Sequence, residues 1–287
     1  FITQTHVQEE LPILDIIFVI DNSGSMNVFQ QELSNQMTAF MNVFLATGAD
    51  FHLGFITTDR GYLQCSGVIC WIDNSHLTAV DWAQGIITQI SIGGSAYEKG
   101  IEMAHRALQN TDYDTGAAPG TSFWRNDATL VIIYVSDEPD FSLGTWTAYT
   151  SFFDTLKPNI DMMRHFGVIG DYPSGCQWSS PHNSYWRNVG FGDGYYDMTQ
   201  RYNGDWYSIC ATDWGNQMQD LANTVTVRST FNLDEDDPIE DSIIVNVNGQ
   251  ASFDWTYDSN SNAVVFNEGY APEAGQTIII EYGIWGC

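Results

Sequence analysis

The hydrophobic pattern of the chain alternates between two periods. Residues 13–20, Ile-Leu-Asp-Ile-Ile-Phe-Val-Ile, form a nearly continuous β-branched run. Such a run is the signature of a strand covered on both faces, as in a parallel sheet. It ends in Asp21-Asn22-Ser23-Gly24-Ser25, a composition that favours a turn. Phe29, Leu33, Met37, Phe40, Met41 and Phe44 then recur at helical spacing, and Gly48 is placed to stop that helix. Residues 51–57 alternate as a second strand. Residues 61–71, with Cys65 and Cys70 close together, read as a clamped hairpin or loop. Two further helical patterns follow. Leu77, Val80, Trp82, Ile86, Ile87 and Ile90 make one; Tyr97, Ile101, Ala104 and Leu108 make the other, entered through Gly93-Gly94-Ser95. Residues 110–127 are rich in Gly, Asp and Thr and predict a loop. Residues 130–135 are a second buried-strand run, ending in Ser136-Asp137-Glu138. A helix over residues 146–156 and a strand over 165–169 continue the alternation. Strands alternating with helices predict an α/β fold, a doubly wound, mostly parallel sheet flanked by helices.

From residue 170 to 204 Gly, Asn, Ser, Tyr and Trp dominate, and a disulfide to Cys210 would staple this stretch. A last helix is predicted over residues 214–224. Beyond it the pattern is all-β, over residues 242–247, 252–257, 263–266 and 277–282, with turn signals at Asn248-Gly249 and Asp258-Ser259-Asn260. This predicts a small β-module appended to the α/β core. The acidic run Asp234-Glu235-Asp236-Asp237 marks the join, giving expected domains of residues 1–230 and 231–287. No internal repeat of solenoid length is present.

Composition narrows the function. The 287 residues carry 36 Asp and Glu against 9 Lys and Arg, a formal net charge of −27. Such a chain has no basic field to offer nucleic acid and is repelled by anionic lipid. It can attract divalent cations, basic proteins or neutral glycans. With 10 Trp, 14 Tyr and 16 Phe it has ample area to bury, so disorder is not expected. No apolar run approaches the ~20 residues of a membrane helix. The chain begins at Phe1 with no signal-peptide pattern, which reads as a processed or trimmed N-terminus. The five cysteines pair plausibly as Cys65 with Cys70 and Cys176 with Cys210, leaving Cys287 over. There is no Cys-x-x-Cys pair or His cluster of the zinc kind, so disulfides in an oxidising compartment are the preferred reading.

The candidate chemistry lies at strand ends. In an open α/β sheet, ligands sit outside the carboxyl ends of the strands, near a switch in strand order. Asp21, Ser23 and Ser25 follow the first buried strand, Asp137 follows the other, and Ser95 opens a helical stretch between them. If these segments are neighbours, two carboxylates and three hydroxyls converge, an oxygen set suited to a hard cation. Mg²⁺ is preferred, with Mn²⁺ or Ca²⁺ as alternatives. An isolated Asp-x-Ser-x-Ser is commonly a helix N-cap; the buried strand before it and the order of Ser95 and Asp137 favour the cation reading. Glu98 is read as a partner of the helix dipole. The acidic run at 234–241 lacks a calcium-loop spacing and is read as a solvated linker. The aromatic stretch 172–206 suits sugar or protein binding and stapled-loop packing equally.

Asp21-Asn22-Ser23-Gly24-Ser25-Met26 resembles the metal-ion-dependent adhesion site of von Willebrand factor A domains, the family that includes the integrin inserted domains. The family's third element is a Thr five residues before a small residue in a helix; Ser95 and Gly100 match that spacing, with Ser for Thr. Its final element is an Asp ending a buried strand, matched by Val135-Ser136-Asp137. The resemblance covers roughly residues 13–227. The C-terminal part resembles, more loosely, β-extensions on bacterial exported members. The resemblance implies a cation held by Ser23, Ser25 and Ser95, with Asp21 and Asp137 acting mostly through water, and an open position filled by a Glu or Asp of a partner protein. The expectation is therefore a non-enzymatic adhesion or ligand-binding module, secreted, periplasmic or on the cell surface, that recognises a carboxylate of a protein; a glycan is an alternative ligand. Two other readings stand beside it. One is a metal-stabilised structural module of a surface appendage. The other is a metal-assisted hydrolase, against which the chain lacks a Gly-x-Ser-x-Gly elbow and a P-loop.

Overall fold

The computed structural model describes residues 1–8, 12–109, 123–179, 186–259, 261–267, 270–273 and 275–284. Most of the expected loop at 110–127, the turn residue Asn260 and the leftover Cys287 lie outside the described residues. In chain order the elements are β1 (Ile2–Val7), β2 (Ile13–Ile20), α1 (Asn27–Thr47), β3 (Asp50–Thr57), β4 (Trp71–Asp73), α2 (Ala79–Gln89), α3 (Gly100–Gln109), β5 (Thr129–Ser136), α4 (Thr147–Phe153) and β6 (Met163–Ile169). They continue with β7 (Cys176–Ser179), β8 (Trp186–Val189), α5 (Tyr195–Arg201), β9 (Trp206–Ser208), α6 (Trp214–Thr226), β10 (Thr230–Asn232), β11 (Ile244–Val247), β12 (Gln250–Ser252), β13 (Trp255–Asp258), β14 (Ala263–Phe266) and β15 (Thr277–Tyr282). They fall into two compact units, residues 13–223 and residues 1–12 with 224–287.

The first unit is the α/β fold expected. Its sheet has the order β4-β3-β2-β5-β6-β9, parallel throughout except for β4 at one edge. The chain winds from β2 outward to β3 and β4, then returns to the far side of β2 for β5, β6 and β9. The order therefore switches between β2 and β5, and a crevice at their carboxyl ends follows from the topology.

The apolar runs explain why these strands are central. β5 is buried along its whole length and β2 nearly so. Phe18 of β2 stacks on Phe55 of β3 at 5.5 Å and meets Phe40 of α1 edge-on at 5.4 Å. The helical stripe of α1 buries Phe29, Leu33, Met37, Phe40, Met41 and Phe44, and burying each such side chain stabilises by roughly 1.5–3 kcal/mol. Gly48 ends α1 in the left-handed region, φ 71°, where a side chain would be strained. On the other face of the sheet, α3 and α5 pack Ile101, Met103, Ala104, Tyr195 and Met198 against Ile132 and Tyr134. Both expected disulfides form, Cys65–Cys70 and Cys176–Cys210.

Two helix starts differ from the pattern. The second helix begins at Ala79, and Leu77 is fully exposed. The third begins at Gly100, so Gly93 to Tyr97 are not helical. Their backbone is held elsewhere: Gly94 N–H donates to Asn22 O at 2.8 Å and Ser95 N–H to Asp59 Oδ2 at 2.9 Å. These long-range bonds satisfy the groups a helix would otherwise use.

The second unit is all-β, in two antiparallel sheets of order β1-β15-β11-β12 and β10-β14-β13. Ile278, Ile280 and Tyr282 alternate inward from β15 and join Phe231, Val245, Val264 and Phe266 in its core. The Asn248-Gly249 turn between β11 and β12 has both residues at positive φ, 48° and 76°, as a tight hairpin requires. The boundary departs from the expected 230/231. β1 pairs along its length with β15, from Ile2 opposite Tyr282 to Val7 opposite Thr277. It thereby covers a sheet edge that would otherwise be unpaired, and the N-terminal strand belongs with the β-module. No helix among the described residues is long and apolar enough to cross a membrane.

Candidate cation-binding site

Three loops meet at the switch point. Backbone bonds draw them together: Asp21 N–H donates to Val135 O at 2.9 Å, and Thr58 N–H to Ile20 O at 3.1 Å. Asp21 follows β2, Thr58 and Asp59 follow β3, and Asp137 follows β5.

Asp21 is fully buried. Its Oδ1 accepts from Ser23 N–H at 2.8 Å and its Oδ2 from the Ser136 hydroxyl at 2.8 Å. The Ser23 and Ser25 hydroxyls lie 2.8 Å apart, and Ser25 Oγ donates to Asp137 Oδ1 at 3.0 Å. Asp21, Ser23, Ser25 and Asp137 are thus one linked cluster of two carboxylates and two hydroxyls. Ser95 stands beside it. Its loop is anchored to Asn22 and Asp59, and its hydroxyl accepts from Tyr97 N–H at 3.0 Å. Among the described residues no hydrogen bond joins Ser95 to the other four.

Several participants lie outside the five expected site residues. Asn22 ties its own loop to the β3 loop and to the Gly94–Ser95 segment: its carbonyl accepts from Gly94, its Nδ2 donates to Asp59 Oδ2 at 3.3 Å and its Oδ1 accepts from Thr58 Oγ1 at 3.3 Å. Glu98 is fully buried and accepts from the Thr58 hydroxyl. Burial, and then the charge of Asp21, push its pKa up to about 9. Glu98 is thus a buried acid that favours its neutral form beside Asp21, rather than a partner of the helix dipole. Burial also raises Asp21. Asp137 is pushed up to about 6 by burial and by the Asp21 charge, against the opposing pull of Arg187.

Arg187 comes from β8, far away in sequence. Its Nη2 pairs with Asp137 Oδ2 at 2.9 Å and its Nη1 donates to Ser25 O at 2.6 Å. Its guanidinium lies 4.5 Å over the Phe29 ring and 5.9 Å from Trp178, its cross-strand neighbour on β7. The rim is apolar: exposed Tyr97 packs edge-on against exposed Phe141 at 5.8 Å, and Leu143 is exposed close by in sequence.

The donor chemistry fits a hard divalent ion, since every side-chain donor of the four is oxygen. Asp137 already carries a positive group. Among the described residues no three Asp, Glu, His or Cys side chains form a metal-holding group, so any cation here depends on the serine hydroxyls as well as the carboxylates.

No protein-family model matches the chain, and no curated protein matches it at a significant level. Solved structures give likenesses of overall course. One is a von Willebrand factor type A protein from Catenulispora acidiphila, at 11% identity and a TM-score of 0.47, covering 99% of this chain and 66% of that one. Another is the pilus adhesin SpaC from Lactobacillus rhamnosus GG, at 14% identity and a TM-score of 0.39, covering 98% of this chain and 40% of that one. A third is BatB from Bacteroides thetaiotaomicron, at 11% identity and a TM-score of 0.39, covering 74% of this chain and 96% of that one. This chain thus spans 66% and 40% of the first two. The resemblance to von Willebrand factor A domains rests on the chain's own motif, Asp21 to Met26 with Ser95 and Asp137.

Proposed function

We propose that this chain is an adhesion or ligand-binding module of a secreted, periplasmic or surface protein, and that it recognises an acidic group of a protein partner through a divalent cation. The supporting observation is the single cluster of Asp21, Ser23, Ser25 and Asp137 at the β2/β5 switch point. Ser23, Ser25 and Asp137 would hold the ion, Asp21 would orient the Ser23 backbone and back the shell through water, and Ser95 would reach in from its anchored loop. A bound Mg²⁺ or Mn²⁺ would supply a Lewis-acidic centre for an anionic oxygen. The chain's own residues do the rest. Ser136 fixes the Asp21 carboxylate by its hydroxyl, with Glu98 buried nearby. The apolar rim of Tyr97 and Phe141 offers area that a peptide flanking its acidic residue would cover.

A net charge of −27 opposes acidic partners at long range. Screening over ~8 Å in physiological salt confines that opposition, so the local cation dominates recognition. Two disulfides suit an oxidising compartment.

The test is titration calorimetry with MgCl₂ and MnCl₂ on the wild type and on Ser25→Ala and Asp137→Ala. Saturable one-to-one binding, lost in both variants, is expected. Heats that are non-saturable or unchanged by both substitutions would defeat the reading. A large cation-dependent rise in melting temperature without capture of any acidic peptide from a random library would instead favour the structural-module alternative.

A further inference from the structure

Among the described residues, Arg187 is the single Lys or Arg ion-paired within the cluster. It is gripped on three sides. Its guanidinium lies 4.5 Å over Phe29 and 5.9 Å from Trp178, two rings that themselves meet edge-on at 5.6 Å; Nη1 donates to the Ser25 carbonyl, and Nη2 is ion-paired with Asp137. Phe29 lies in the first turn of α1, directly after the serine loop, and Trp178 faces Arg187 across the β7–β8 hairpin. That hairpin is stapled at Cys176 to Cys210. The side chain is 17% exposed and its Asp137 partner 6%, so the pair is weakly screened and the charge cannot drift away at little cost.

Asp137 has two oxygens. One accepts from Ser25 and the other is taken by Arg187. A divalent ion drawing on Asp137 must share it with a fixed positive charge a few ångströms away. Like charges at that separation repel strongly in a partly buried site.

Resting on the reading of the cluster as a cation site, we propose that Arg187 is its resident monovalent cation: a divalent ion binds only by displacing the guanidinium from Asp137. Arg187 then sets the cation affinity, and loading the site frees a guanidinium that now rests on the Phe29 ring beside Trp178. Arg187 is a positioning residue, and the reason is charge geometry; a planar fork fits carboxylate and carbonyl together, which an ammonium does not.

The experiment is calorimetric titration of the full chain with MgCl₂ and MnCl₂, comparing wild type with Arg187→Gln and Arg187→Lys, each checked for an unchanged far-ultraviolet spectrum. Arg187→Gln is expected to bind on the order of tenfold tighter or more, with Arg187→Lys between it and the wild type. In parallel, tryptophan fluorescence follows MgCl₂ addition. The wild type is expected to show a saturating change that is absent in Trp178→Phe and in Arg187→Gln, because the guanidinium leaves the Trp178 ring only in the wild type. If the wild type binds and folded Arg187→Gln binds equally or more weakly, this inference fails while the function proposed above survives. If neither protein binds either ion, both fail. If only Arg187→Gln binds, Arg187 does exclude the ion, but the wild-type chain does not load it and the function proposed above fails.

Discussion

Asp15 offers a quantitative test of how the α/β unit is held. It sits inside the apolar run of β2, fully buried. Burial raises its pKa, and Arg125 opposes that rise. Arg125 meets it with its backbone N–H at 2.6 Å and its Nε at 2.8 Å, while Nη1 pairs with Asp50 Oδ1 and Nη2 donates to Leu14 O, both at 2.8 Å. His52 Nδ1 lies 3.5 Å from Asp15, too far to replace that fork. Arg125→Met keeps the stem's bulk and removes the charge. Stripping one partner from a buried pair costs about 3–5 kcal/mol, because the remaining charge is left uncompensated. Asp15→Asn with Arg125→Met removes that charge too, and should recover about 1–3 kcal/mol of the loss. The sign with pH follows from the raised folded pKa. Asp15 binds its proton more tightly folded than unfolded, so its penalty shrinks as pH falls; the Arg125→Met loss should be smaller at pH 5 than at pH 8. Urea unfolding followed at 222 nm reads this unit, which holds α1 to α5. A loss below about 1 kcal/mol for Arg125→Met, or a double variant no better than the single, would refute the argument.

Two other expectations concern buried groups. His165 on β6 is fully buried beside Tyr134 and Tyr202, and burial alone lowers its pKa to about 3. It stays neutral in the fold while the unfolded chain protonates near pH 6.5, so stability is lost as pH falls below that value. Relative to His165→Gln, the wild type should lose about 1.4 kcal/mol per pH unit between pH 6 and pH 4; parallel pH curves would contradict the assignment. Glu98→Gln replaces an already neutral acid by a near-isostere. With chelator present, it should be at least as stable as the wild type at pH 7 and should gain progressively as pH rises toward the Glu98 value near 9. A variant that unfolds more easily at every pH would show that Glu98 is ionised in the fold.

What the sequence made legible was local. β2 and β5 were readable because a strand buried on both faces needs no alternation, and α1 because its stripe and its Gly48 stop agree. Asp21, Ser23, Ser25 and Asp137 followed from strand ends once the two strands were taken as neighbours. The unread parts depend on distant pairings. β1 is a six-residue strand whose partner lies some 270 positions away, and nothing in its composition names that partner. The helix start at Gly93 to Ser95 misled because periodicity cannot show backbone groups bonded to Asn22 and Asp59. Arg187 lay unmarked in an aromatic stretch whose two readings were balanced, and only the hairpin brings it over Phe29 and onto Asp137. Glu98 looked like an ordinary first-turn acid because its burial is a tertiary property.

The most direct measurement is a crystal grown in MnCl₂ with data collected at the manganese edge. One anomalous peak is expected within coordination distance of Ser23 Oγ and Ser25 Oγ, with the Arg187 guanidinium withdrawn from Asp137. An unbroken Arg187–Asp137 pair with no peak above the two serines at saturating manganese would contradict that expectation.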